Sequence, residues 1–128
     1  MPEGAKNTSE EIKLAIVGGR DFTDYQKMCN SLTDIEDQVS LVISGGRRED
    51  GKGADTLAIR WAEEKGKTWI EFLPDWDKHG KAAGPIRNEF IVKACTHLAA
   101  FWDGKSCGTA DVLRRAKNHK KRYRIVNY

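Results

Sequence analysis

The sequence predicts an α/β fold, a Rossmann-like three-layer sandwich of about five parallel strands flanked by four helices. Three observations carry this. Five short apolar runs rich in β-branched and aromatic residues alternate with segments of helical period, the pattern of a parallel sheet covered by helices. The middle runs lack a polar face, as strands buried on both sides do. And 128 residues is the length of one domain with a core between sheet and helices.

The strands are predicted at Leu14–Val17, Leu41–Ser44, Trp69–Leu73, His97–Trp102 and Arg122–Val126. The first helix is expected to open at Thr23, with Gln26 three residues on in a capping-box spacing, and to run Tyr25, Met28, Leu32, Ile35 along one face. The second carries Ala54, Leu57, Ala58, Trp61 and Ala62 and stops at Gly66, suited to a left-handed C-cap. A third begins at Gly84 with Pro85 in its first turn and Ile86, Phe90 and Ala94 on one face. The fourth runs from about Thr109 to Asn118, with Val112, Leu113 and Ala116 inward.

Residues 1–12 read as a flexible tail and 13–128 as a single domain. The tail is polar, without the apolar core of a secretory signal, and no apolar run approaches a membrane span; a cytoplasmic protein without membrane partners is expected. Cys29, Cys95 and Cys107 are scattered, which predicts free thiols and neither a disulfide framework nor a metal site. The net charge of +3 is uneven: Arg114–Arg124 holds seven Lys/Arg and no acid, leaving 15 basic against 19 acidic residues elsewhere. The basic stretch suits the solvated end of a helix, or a nucleic-acid contact helped by Trp76 or Tyr123.

Function is expected in the strand-to-helix turns, which share one edge of such a sheet. Ten of the twelve glycines lie in four of these turns, whereas the helix-to-strand turns hold only Gly66. Glycine lets backbone N–H groups approach a phosphate, and a following helix N-terminus adds free donors. Turn one supplies Gly18, Gly19, Arg20 and Asp21, the arginine suited to bidentate phosphate contact or to pairing with Asp21. Turn two supplies Gly45, Gly46, Gly53 and Asp55. Its Gly46–Lys52 segment fits the start of a P-loop, but Gly53 stands where the magnesium-binding hydroxyl belongs; the Gly104-Lys105-Ser106 near-match has Ala99 in place of the leading glycine. No magnesium or other cofactor is expected. Turn three, Pro74–Gly84, is long and holds Trp76 and His79, a candidate lid. Arg87, Asn88 and Glu89 follow in the first turn of the third helix. Turn four supplies Asp103, Gly104, Ser106, Gly108 and Thr109, with Cys107 beside the helix start.

With GGRDFTDY at Gly18–Tyr25, SGG and GADTLA within Ser44–Ala58, DWDKHGKAAGPIRN at Asp75–Asn88 and AFWDGKSCGT at Ala100–Thr109, the chain resembles the YspA-type, YpsA-related branch of the SLOG superfamily, from about Lys13 to Val126. That resemblance implies a Rossmann-like pocket for a nucleotide or a phosphorylated ribosyl derivative, such as a nucleoside monophosphate or an ADP-ribose-like compound, and a homodimer or higher homo-oligomer. Two departures stand out. The 46–53 turn is about four residues longer than the family's. And the LOG phosphoribohydrolases of the superfamily carry a catalytic glutamate where Val112 stands, with Asp111 one residue away and turned by about 100° on the helix. A hydrolase or transferase acting at an N-glycosidic bond would therefore need another carboxylate, with Glu89, Asp103 and Asp21 as the candidates.

Overall fold

The computed structural model describes residues 10–128; of the predicted tail, residues 1–9 lie outside the described residues. Strands β1 (Ile12–Gly18), β2 (Val39–Ser44), β3 (Thr68–Glu71), β4 (His97–Trp102) and β5 (Arg122–Asn127) form one parallel sheet in the order β3-β2-β1-β4-β5. Four helices of eight to twelve residues flank it: α1 (Tyr25–Leu32), α2 (Ala54–Glu64), α4 (Ala83–Ala94) and α5 (Cys107–Asn118). The one-turn helix α3 (Trp76–His79) precedes α4.

The sheet separates two cores, and β1 feeds both. Its Ile12, Leu14 and Ile16 pack with Met28 and Leu32 of α1 and Leu57, Ala58 and Trp61 of α2. The intervening Ala15 and Val17 pack with Ile91 and Val92 of α4 and Val112, Leu113 and Ala116 of α5. Alternation between two buried faces leaves β1 without a polar side, which is why its sequence reads as a continuous apolar run. The edge strands differ: no residue of β3 or β5 is fully buried. Strand order reverses between β1 and β4, and the crevice of such a fold opens there, beyond the strands' carboxyl ends.

Several local expectations change. Helix α1 is capped by Asp24, whose Oδ1 accepts from Lys27 N–H at 3.0 Å, while Gln26 donates to Asn30. A charged acceptor one residue later displaces the Thr23 capping box. Turn three is not an open loop: α3, capped by Asp75, runs through a 3-10 turn at Gly80–Ala82 into α4. Helix α4 turns Ala83, Asn88, Ile91 and Val92 inward, and Phe90 is 55% exposed, stacked on Phe72 with centroids 6.2 Å apart. Of the predicted face Ala94 reaches the core but Phe90 does not, because α4 packs against the sheet and, alongside, against α5, and turns Asn88, Ile91 and Val92 to them. Gly66 takes the left-handed conformation as expected (φ 68°), with Lys67 N–H returning to Ala62 O. Among the described residues no helix is long and apolar enough to cross a membrane.

Candidate functional site

At the β1/β4 switch point lies a cavity of about 420 Å³, within the usual size of small-molecule sites. Turn one lends Gly18, Gly19, Arg20 and Asp21; the first turn of α2 lends Asp55; α4 lends Arg87, Asn88 and Ile91; turn four and α5 lend Asp103, Ser106, Gly108, Thr109 and Val112.

Turn one is tightly packed. Gly19 N–H donates to Phe101 O, so it is not free to hold an anion. A Cβ on Gly18 would lie 2.3 Å from Phe101 O, and one on Gly19 would meet the Tyr128 hydroxyl. That hydroxyl donates to Asp21 Oδ1 at 2.6 Å; burial and this bond raise its pKa. These glycines admit the neighbouring strand, the start of α2 and the last residue, a role their sequence context did not reveal.

Turn four is built as a cap. Asp103 Oδ1 accepts from the N–H groups of Lys105 and Ser106 at 2.8 and 2.9 Å, which holds its carboxyl below the usual range. Ser106 Oγ caps α5 by accepting from Thr109 N–H, and Ala110 N–H returns to Ser106 O. The N–H groups of Cys107 and Gly108 make no hydrogen bond to a described residue. They are the free donors expected of a helix start. A Cβ on Gly108 would meet nothing within 4 Å.

Arg87 is fixed from three sides. Its Nη1 donates to Gly45 O at 2.7 Å and to Phe72 O at 3.5 Å, and its Nε donates to Asn88 Oδ1 at 3.0 Å. Asn88 Nδ2 in turn donates to Asp111 Oδ2, which Arg115 Nε also reaches. Burial lowers the Arg87 pKa, with Asp55 and Arg20 as its charged neighbours. Asp55 faces the same space; burial pushes its carboxyl up to about 6, against the opposing pull of Arg87.

Other expected residues sit elsewhere. Gly45, Gly46, Gly53 and Gly104 do not line the cavity. Gly45 nevertheless shapes it, since a Cβ there would lie 2.6 Å from Arg87 Nη1 and 2.7 Å from Asp55 Oδ2. Gly46 and Gly53 have left-handed φ values of 121° and 97°. The 46–53 segment folds on itself through Arg48 and Asp50, 2.8 Å apart, and does not wrap a phosphate position as a P-loop would. Trp76 is also outside the lining and 55% exposed. Glu89 points away into an ion network with His119 at 2.7 Å and Arg115 at 3.1 Å, which holds its pKa low. Val112 lines the cavity while Asp111, one residue earlier, is turned into the Asn88–Arg115 network, as the helical offset predicts.

Four of the seven basic residues of the Arg114–Arg124 segment form ion pairs with described residues. Arg114 and Arg115 pair with Asp111, Arg122 with Glu10, and Arg124 with Asp34.

Residues 12–79 match the YAcAr family, described as the YspA, cpYpsA-related SLOG family. The chain belongs to this family. Across 125 residues it is 31% identical to the Gene 61 protein of Mycobacterium phage D29, a match spanning 91% of this chain and 95% of that protein. Its SLOG fold is similar to that of DNA processing protein A (DprA) from Streptococcus pneumoniae, with a TM-score of 0.70 and 20% identity. That match covers 90% of this chain but half of the DprA chain, so the SLOG domain described here corresponds to part of the larger protein.

Proposed function

We propose that the cavity binds a nucleotide or a related phosphorylated ribosyl compound, a nucleoside monophosphate or an ADP-ribose-like molecule, with a phosphate seated at the start of α5. The observation that carries this reading is Gly108. It lies in the first turn of a 12-residue helix, lines the cavity and has open space where a side chain would project. A glycine costs helix stability relative to alanine, and no contact among the described residues accounts for this one. An anion above it would meet the unpaired N–H groups of Cys107 and Gly108 and the positive end of the helix dipole. Arg20 stands on the opposite rim.

Net charge does not favour an anion, because the lining holds three aspartates against two arginines. Local placement decides instead. Asp103 is turned to two backbone donors and Asp21 to Tyr128, while the N–H groups of Cys107 and Gly108 stay unpaired among the described residues and available to an anion.

Calorimetric titration of AMP, ADP and ADP-ribose is the test. Binding is expected for at least one of them, and Gly108→Glu, which sets a carboxylate over the helix start, should weaken it about 100-fold with the fold intact. No heat from any of the three, or unchanged affinity in Gly108→Glu, overturns the reading.

A further inference from the structure

Among the described residues two buried side-chain polar atoms lack a hydrogen-bond partner: Trp61 Nε1 and Asp55 Oδ1. Trp61 is neutral and surrounded by the apolar core. Asp55 is ionisable and lines the cavity. A carboxyl with one oxygen enclosed and without a donor is expensive, and its retention at a cavity wall calls for an explanation in what the other oxygen can bind.

We propose that Asp55 and Arg87 form a hydroxyl-selective subsite, which takes the vicinal diol of a ribose and discriminates against the 2′-deoxy sugar. The inference rests on the nucleotide reading above and adds to it which sugar the cavity accepts. Of the two Asp55 oxygens Oδ1 is enclosed, whereas Oδ2 lies beside Gly45 and Arg87 on the cavity side and offers an acceptor. Arg87 commits Nε and Nη1 to Asn88 and Gly45, while Nη2 has no acceptor among the described residues. The two side chains flank Gly45 without closing into an ion pair, and any side chain on Gly45 would collide with both. An acceptor beside a donor, held apart, suits a group that both donates and accepts. A sugar hydroxyl does so, and two adjacent hydroxyls use both partners at once. An ammonium group lacks the acceptor for Arg87, and a phosphate would face the Asp55 carboxylate.

The subsite is also sensitive to protonation. Asp55 is faced by Arg87 from α4, Arg20 from turn one, Arg48 from the 46–53 segment and the Gly45 N–H, and burial outweighs them all. Its carboxyl gains a proton as pH falls through about 6, and the protonated form is the poorer acceptor.

Titration of the whole protein with AMP, 2′-deoxy-AMP and ADP-ribose tests this. Wild type should bind AMP at least about 10-fold more tightly than 2′-deoxy-AMP, since a site built around a hydroxyl rejects an analogue that lacks it. Asp55→Asn should bring the two affinities within about twofold, with its melting profile confirming the fold. ADP-ribose serves for the pH series because its diphosphate diester does not ionise near 6. Its affinity for wild type should fall toward tenfold per pH unit below 6 and stay flat in Asp55→Asn. Equal binding of the ribo and deoxy compounds by wild type, or discrimination and pH dependence that survive in Asp55→Asn, overturns the subsite while leaving the nucleotide reading standing. Absence of all binding overturns both.

Discussion

Turn one and turn four face each other across the cavity, both rich in glycine, and they use it in opposite ways. Gly18 is enclosed: a Cβ would press to 2.3 Å against Phe101 O and 2.8 Å against Ala54 Cβ. Gly108 is open: a Cβ would touch nothing. The first glycine serves contacts inside the protein, holding β4 and the start of α2 against the end of β1. The second serves none among the described residues, as the proposed phosphate site requires. A glycine-rich turn is therefore not one signal but two, which only the space around each residue separates.

The largest effect should come from the enclosed side. Gly18→Ala sets a methyl against a backbone carbonyl that pairs in the central sheet, where neither neighbour can swing away. Overpacking against backbone costs about 3 kcal/mol. For a domain of this size that lowers Tm by about 10 °C in thermal unfolding followed by circular dichroism. A melting profile like that of wild type would break the comparison, because Gly18 would then be as free as Gly108.

Next in size is the carboxylate between the two turns. Asp55 rises from its usual value of 3.8 to about 6 in the folded protein, chiefly through burial. The unfolded chain releases this proton at lower pH than the native protein does. The group's contribution to stability is therefore most favourable below about 4, declines as pH rises toward 6 and is constant above. The decline amounts to roughly 3 kcal/mol. Asp55→Asn lacks this dependence. Its Tm relative to wild type should climb between pH 4 and 7, and a constant difference would show that burial does not raise the Asp55 carboxyl. Gain of stability together with loss of binding is the pattern expected where a site is held at a cost to the fold.

How much of this was legible in the sequence follows the same division. Strand positions, their parallel pairing and the edge that carries the glycine-rich turns came from periodicity and glycine placement, because buried parallel strands and strand-to-helix turns leave direct marks on composition, whereas the strand order came only from the fold. The four motifs that identify the family lie in those turns. Which glycine lines the cavity did not come through: Gly45, Gly46, Gly53 and Gly104 looked the same as Gly108, and only the fold shows Gly45 as the gap between Asp55 and Arg87. Glu89 followed Arg87 and Asn88 closely enough to look like a site residue. Two positions along the helix from Arg87 is about 200°, and that rotation carries Glu89 to Arg115 and His119. The Arg115–Asp111 pair is an ordinary i,i+4 spacing, but the reach of Arg115 to Glu89 and of Arg124 to Asp34 was hidden, since those partners lie 26 and 90 residues away.

The smallest effect, and the sharpest separation of the two turns, is expected from Gly108→Ala. The position has an ordinary helical backbone and open space, so the added methyl strains nothing. Alanine also narrows the conformations of the unfolded chain. Stability should rise by about 0.5 kcal/mol, against the large loss at Gly18. The same methyl projects from a residue that lines the cavity, where it obstructs approach to the free N–H groups of α5. Affinity for AMP or ADP-ribose should fall about fivefold, read by calorimetry on the stabilised protein. Opposite signs for stability and binding in one substitution distinguish a glycine kept for a ligand from one kept for the fold. If both quantities rise together, the phosphate does not sit over α5.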